Sequence, residues 1–275
     1  MVRVNKFASP SLSGAADVEQ SAKREVFVPL EEGVFSFGCH RGISCFTKCC
    51  AKLRLILMPY DILRMRSRLG LRTEQFLERY TDLFLDPAYR FPMVRLKMKN
   101  DPEGTCPFVT PDGCSIYDDR PAACRLYPVG RASALPGLRP GRPAEKYFLV
   151  RESHCKGFEE DKRWEVAQWL QDQGVTEYDE MNEPWLRVIT AGKSLGPPEG
   201  VSRKYQVFYL ASYDLDRFHD FTLSPGFLKR FDLAPGLRER IREDDGELLR
   251  FACDWLRFSL YGEKSIPISP AGGAS

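Results

Sequence analysis

The nine cysteines are spread unevenly along the chain. Cys39, Cys45, Cys49 and Cys50 fall within twelve residues, Cys106, Cys114 and Cys124 follow within nineteen, Cys155 comes later, and Cys253 stands alone. Thiolates are soft ligands suited to zinc and to iron–sulfur clusters, and several must be carried on loops or turns to converge on one centre. The first eight sit in turn-rich segments and form the candidate metal-ligand set. Cys253 lies in an amphipathic helical pattern and reads as a core residue. The competing reading is a set of buried or redox-active thiols without metal, since a free cysteine behaves as a small hydrophobe.

Cys49 and Cys50 are adjacent, and neighbouring side chains point apart in extended and helical backbone. Either one binds while the other packs, or two centres share the pair. Cys124 follows Arg120-Pro121, a good helix start, which places its sulfur near a helix N-terminus, where thiolate is favoured. Arg120 and Arg125 are candidates to offset the negative charge of a thiolate site, or are ordinary surface arginines. Of the three histidines, His40 and His154 adjoin cysteines and are either a fourth ligand or a hydrogen-bonding neighbour, whereas His219 is ordinary helix or loop material. No Ser-His-Asp or HExxH pattern offers hydrolytic machinery.

The elements that must position these groups can be read around them. Residues 26–30 (VFVPL) and 33–39 (GVFSFGC) have strand character and lead into the first cysteine loop. A third strand is expected over Leu53–Met58. A helix follows from Pro59 to Leu69, with Pro59 near its start and Gly70 as its stop. Another spans Thr73–Tyr80, with Thr73 as cap and Phe76, Leu77 and Tyr80 as its apolar face. Pro111-Asp112-Gly113 marks a hairpin. A three-residue turn sets Thr110 opposite Cys114 and puts Cys106 on the same face as Cys114.

Residues 131–145 read as a long Pro/Gly/Arg loop, and Lys146–Val150 as a strand delivering His154-Cys155. From Trp164 onward the pattern is helical, with one helix ending at Gly174, a second over about Thr176–Ala191 and a third in GELLRFACDWLRFSL. Residues 194–200 (SLGPPEG) are the best linker candidate. The fold class expected is α+β: a small cysteine-rich metal-binding module at 26–160 with short strands, a hairpin and helices, then a mainly helical lobe at 161–264. Flexible tails are expected at 1–25 and 265–275.

At 275 residues, 43% hydrophobic and a formal net charge of +2, the chain can bury a core without cross-links, and its charge names no polyanionic partner. No apolar run reaches the roughly 18 residues of a membrane span, and no signal-peptide pattern is visible. A cytoplasmic location is therefore expected, where reduced thiols favour metal binding over disulfides. Residues 38–100 carry thirteen Lys or Arg against five Asp or Glu. Arg64, Arg66, Arg68 and Arg72 are read as a solvated face balanced by acidic residues of the C-terminal half, so nucleic acid is not an expected partner.

Cys39-x5-Cys45-x3-Cys49-Cys50, Cys106-Pro107-Phe108, Gly113-Cys114-x-Ile116-Tyr117, Arg120-Pro121-x2-Cys124-Arg125 and Tyr127-Pro128 together resemble the YkgJ-type cysteine-cluster family, over about residues 34–158. The first group is wider than the family's usual CxxCxxCC spacing. The resemblance implies a zinc- or iron-chelating domain with Cys39, Cys45, Cys49, Cys50, Cys106, Cys114, Cys124 and Cys155 as metal ligands. A flagellin lysine methylase is similar in its cysteine module, which implies an alternative function: an iron–sulfur-dependent protein-modifying enzyme using S-adenosylmethionine on a protein substrate. No Gly-rich strand-to-helix fingerprint or CxxxCxxC motif supports that cofactor. The remaining alternative is a zinc-dependent, non-catalytic interaction module.

Overall fold

The computed structural model describes residues 26–132 and 146–269. The fold is α+β, with short antiparallel strands gathered in the first part and helices in the second. Strand β1 (Phe27–Pro29) pairs with β9 (Lys146–Val150), which also pairs with β8 (Val129–Ala132). The C-terminal part of the expected loop, residues 133–145, lies outside the described residues, as does the expected tail at 1–25.

Strand β2 (Val34–Ser36) pairs with β10 (Arg163–Glu165), setting Phe35 opposite Trp164. Trp164 was expected to open a helix. Pairing with β2 holds its backbone extended instead, while its indole donates to Phe37 O at 2.9 Å and its ring meets Trp169 edge-on. The helix starts two residues later, as α4 (Val166–Asp172), and Gly174 follows in the left-handed region at φ +62°.

A second sheet has the order β3 (Ile56–Leu57), β5 (Pro92–Leu96), β4 (Thr81–Leu85). The last two are additional to the sequence reading. Buried Met93, Val94 and Leu96 explain β5, a nearly continuous apolar strand. The two expected helices, α1 (Pro59–Arg68, one residue shorter than expected) and α2 (Thr73–Tyr80), lie between β3 and β4. Thr73, however, is the first helical residue and Arg72 the cap, with Arg72 N–H donating to Gln75 Oε1 at 3.0 Å. Thr73 is fully buried and its own N–H goes to Asp216 Oδ2 at 2.7 Å, so tertiary contact took the cap residue inward.

The hairpin exists as β6 (Val109–Thr110) and β7 (Gly113–Cys114), but with Val109 opposite Cys114 and Thr110 opposite Gly113. The turn therefore has two residues, Pro111 and Asp112, and the expected register was off by one. Gly113, at φ +114°, closes it in a conformation open mainly to glycine. Helix α3 (Ala122–Leu126) follows, preceded by a single 3-10 turn at Tyr117–Asp119.

The C-terminal helices are α5 (Val175–Ile189), α6 (Pro198–Tyr213), α7 (Leu215–Thr222), α8 (Pro225–Arg230), α9 (Pro235–Glu243) and α10 (Asp245–Tyr261). Pro198, placed in the expected linker, is the first residue of α6, a position where its missing N–H costs nothing. The stretch expected to be disordered from 265 is held as far as Ser269. Ile266 is buried, Ser265 Oγ donates to Asp254 O at 2.7 Å, and Ile268 bridges Phe231. Residues 270–275 lie outside the described residues.

The largest core runs through both halves. Leu57, Ile62, Met65, Phe76 and Val94 pack with Tyr178, Trp185, Phe208, Phe218 and Leu256. A second cluster of Phe35, Phe37, Val129, Leu149, Val166 and Trp169 lies under β2, β8, β9 and α4. Cys106 and Cys253 belong to the first core, Cys50, Cys114 and Cys124 pack against it, and Cys155 packs against the second. Among the described residues no helix is long and apolar enough to cross a membrane.

Candidate metal centre

The segment 39–50 is a chain of tight turns. Ile43 N–H donates to His40 O, Phe46 to Ile43, Lys48 to Cys45 and Cys50 to Thr47, all at 2.9–3.1 Å. Thr47 sits at φ +67°, a conformation that β-branched residues rarely adopt, immediately before Lys48-Cys49-Cys50. The cost is borne where the chain must present two consecutive thiols.

Contacts bring the other cysteine segments to this loop. At its start, Gly38 N–H donates to Gly157 O at 2.9 Å, and a side chain at Gly157 would run into the Phe37 ring and Gly38 O. In its middle, Cys45 Sγ accepts the Lys156 N–H at 3.1 Å, and Phe46 lies against Gly113 of the hairpin. At its end, Cys106 N–H donates to Cys50 O and Lys52 N–H to Gly104 O, both at 2.8 Å, beside an Ala51–Thr105 bridge. Three other cysteine-bearing segments, around Cys106, Cys114 and Cys155 and up to about a hundred residues away, thus meet this loop.

Cys106 reaches Cys114 by a route other than strand alternation. It precedes β6, closes a turn with Val109 N–H (3.2 Å), and Ser115 N–H returns to Phe108 O (2.9 Å). The Cys106 thiol is held above its ordinary range by burial first, and then by the nearby Cys114 thiol. Cys124 lies in α3 as expected, but its thiol is not favoured as thiolate: burial first, then Cys106, Cys114, Asp61 and Cys49, push it up to about 12. Helix α3 has only five residues, and its dipole is outweighed by desolvation.

At the other end of the loop, part of Cys39 faces solvent, yet burial of its sulfur is the first cause lifting it to about 11, followed by Cys49, Cys45 and Cys155. Cys49 is raised further, first by its hydrogen bond to Cys50 and then by burial, with the Cys50 and Glu152 charges adding to both. Burial thus favours the neutral thiol at Cys39, Cys49, Cys106, Cys114 and Cys124, and a metal ion binding these sulfurs would displace their protons.

Two buried polar atoms beside the thiols have no hydrogen-bond partner: Tyr127 Oη and His154 Nε2. Tyr127 is raised by burial and then by the facing Cys155 thiol, and His154 Nε2 stands 3.7 Å from Glu152 Oε2. His40 is exposed and engaged elsewhere, its Nδ1 accepting Gly42 N–H at 3.1 Å and its Nε2 lying 3.2 Å from Glu160. Cys253 is buried in α10 within the main core, as its helical pattern implied.

Arg120 and Arg125 are both buried. Arg125 is a structural tie: it donates to Arg120 O (3.1 Å), Gln173 O (2.8 Å), Asp118 O and Tyr178 Oη (3.2 Å), and lies over the Tyr178 ring. Arg120 donates to Tyr117 O and Gln173 Oε1, both at 2.6 Å, and stacks 3.9 Å over the Tyr117 ring. The anionic forms that act on Arg120 come from Tyr117, Cys124 and Cys114. The arginines of α1 are instead matched by carboxylates: Arg64 with Asp119 and Glu177, Arg66 with Asp216 and Asp245, and Arg68 with Asp119, while Arg72 just beyond the helix meets Asp216.

Residues 38–156 match the family described as "CxxCxxCC: Putative zinc- or iron-chelating domain". The matched stretch spans every cysteine except Cys253 and supports metal binding by this part of the chain. No curated protein and no solved structure matches the chain. The donor chemistry of this matched stretch, soft thiols beside a tyrosine and a histidine with unmet hydrogen bonds, fits a zinc ion or an iron–sulfur cluster. Among the described residues no three His, Cys, Asp or Glu donors already stand close enough around one point to hold a metal ion.

Sequence reasoning missed Asp61, Tyr127, Glu152 and Lys156 as parts of the site. Glu152 and Lys156 flank Cys155 and Tyr127 follows Cys124 by three, so proximity in sequence was an available signal for these. Asp61 had no such signal, because it reaches Ala122 N–H across about sixty residues.

Proposed function

We propose that the chain is a metal-binding protein whose CxxCxxCC domain holds a cysteine-ligated zinc or iron–sulfur centre, with Cys39, Cys45, Cys49, Cys50, Cys106, Cys114, Cys124 and Cys155 as the ligand set. The observation that carries this reading is the convergence of the Cys106, Cys114 and Cys155 segments on the 39–50 loop, through Cys106 N–H on Cys50 O, Phe46 against Gly113 and Lys156 N–H on Cys45 Sγ. Core packing alone gives no reason to bring cysteines from distant segments to one loop.

Zinc would make the domain a scaffold, since it has no redox chemistry, and a cluster would supply electron transfer or substrate activation. The test is the iron, zinc and acid-labile sulfide content of protein purified without air, together with its absorption spectrum. Iron with sulfide and a broad visible band assigns a cluster, and zinc with a colourless spectrum assigns the structural ion. Protein that retains neither metal, and takes up neither when supplied, overturns the reading.

A further inference from the structure

We infer that two copies of this chain pair through the free edge of β4 (Thr81–Leu85), joining their β3-β5-β4 sheets into one continuous antiparallel sheet about a two-fold axis at Leu83. The inference is independent of the metal-binding reading and goes beyond it, by assigning an interaction surface and its partner.

The sheet order leaves β4 with β5 as its one strand neighbour. Among the described strands of five residues, β5 and β9 are central, and β4 lies at an edge. The edge strand β1 ends in Pro29, which has no N–H to offer a neighbour, whereas β4 contains no proline.

The ladder decides which backbone groups of β4 face outward. Lys97 N–H donates to Tyr80 O at 2.8 Å and Asp86 N–H to Phe91 O at 2.9 Å, in step with the pairing of Asp82 with Arg95 and of Phe84 with Met93. Bonded and non-bonded pairs alternate in an antiparallel ladder, so Asp82 and Phe84 bond to β5, and Thr81, Leu83 and Leu85 turn their backbone groups to the open side. Leu77 O, at the end of α2, takes the Thr81 N–H. The outward donors left are the N–H groups of Leu83 and Leu85.

The side chains mark the same edge. Leu83 is 46% exposed and Leu85 47%, whereas Val94, opposite Leu83 on the same face and one strand inward, is fully buried. Unbonded N–H groups beside exposed leucines form a template for another strand.

A second β4 fits this template. With Leu83 opposite Leu83 of the second copy, the two exchange N–H to O bonds at the axis, and Leu85 N–H of each copy reaches Thr81 O of the other. On the opposite face of the sheet, Asp82 falls across from Phe84 of the second copy. Arg95 lies 5.7 Å over the Phe84 ring of its own chain, and 3.9 Å from its own Asp82. Each Asp82 therefore comes beside the Arg95 guanidinium of the other copy, and the two-fold repeats the pair. This charge match favours a second copy over an unrelated strand.

The experiment is sedimentation velocity of the full chain under reducing conditions, across a wide range of concentration. Leu83→Lys sets two ammonium groups at the axis, and Leu83→Pro removes an outward N–H that β5 does not use. Far-UV circular dichroism checks the fold of each. A concentration-dependent dimer is expected for the unmodified chain, with dimer affinity at least about tenfold weaker in both variants. Asp82→Arg should also weaken the dimer, and Asp82→Arg/Arg95→Asp should restore it. A monomer at every concentration overturns the pairing, including one whose edge takes up an extended peptide instead. A dimer that survives Leu83→Lys with unchanged circular dichroism overturns it too, as does a charge swap that stays monomeric. If Leu83→Pro fails to fold, the lysine variant decides, since the side chain at this position is half in solvent in the single chain.

Discussion

The Asp61 carboxylate accepts the backbone N–H of Ala122 at 2.8 Å while also accepting Met58 N–H at 2.8 Å, so one buried side chain closes the start of its own helix and of the helix carrying Cys124. Burial is the main influence on its acidity and pushes it up to about 6, against the lowering effect of the two N–H donors and Arg125. Because the folded value lies above the ordinary one, its contribution to stability is fully present below about pH 4 and is lost as pH rises through 6. Asp61→Asn keeps one acceptor and turns an amide donor towards the second N–H. It should cost about 1–3 kcal/mol near pH 4, and the difference from the unmodified chain should shrink between about pH 4 and 6. Urea unfolding across that range measures it, and a difference that grows with pH would contradict the assignment.

Cys253 provides a control for every cysteine experiment. It is buried in α10, and burial lifts its thiol to about 12. Cys253→Ala should leave metal content unchanged and cost about 1 kcal/mol through lost packing. It should also remove one source of instability at high pH: a thiol raised in the folded state stabilises fully below about pH 9 and loses that contribution as pH climbs towards 12. Metal analysis and alkaline denaturation of the variant check both halves.

Metal uptake should release protons and tighten as pH rises. Cys39 and Cys124, at about 11 and 12, are protonated near neutrality, so protons compete with the ion for each sulfur. Every proton displaced changes affinity about tenfold per pH unit in this range. Calorimetric titration of zinc in two buffers of different ionisation enthalpy counts the protons, and a count of zero would rule out ligation by these neutral thiols.

Arg125 should be sensitive even to lysine. Its guanidinium serves three carbonyls and the Tyr178 hydroxyl at once, which a single ammonium cannot match. Arg125→Lys should destabilise the protein by about 2 kcal/mol or more, through unpaired buried acceptors. Chemical denaturation reads this directly, and a change below about 0.5 kcal/mol would show that the network is not needed.

Thr47→Gly should stabilise the metal-free protein by roughly 1 kcal/mol, because glycine takes φ +67° without the clash that a β-branched side chain meets. Thermal unfolding of the stripped protein tests it, and a lower melting temperature would mean that the threonine side chain contributes more than its strain removes.

Much of the scaffold was legible because it rests on local signals. The helix over Thr73–Tyr80 has Phe76 and Leu77 at helical spacing, and both are buried. Pro59 and Gly70 bracket α1 through effects that act within one turn. The misses share a cause. Trp164 became a strand residue because β2 was there to pair with it, and Thr73 gave up its capping position because Asp216, far along the chain, took its N–H. The hairpin register turned on a single residue, too fine a difference for turn composition to decide.

The eight clustered cysteines, the isolation of Cys253 and the metal-binding character of residues 38–156 followed from residue type and spacing, because ligand chemistry is a property of the side chain. Which cysteine segments meet, and that the Tyr127 hydroxyl lies beside them without a partner, depended on long-range backbone contacts such as Lys156 N–H to Cys45 Sγ and Cys106 N–H to Cys50 O. The raised thiols of Cys39 and Cys124 likewise came only with the fold, since desolvation and neighbouring charge exist only once the chain has closed around them.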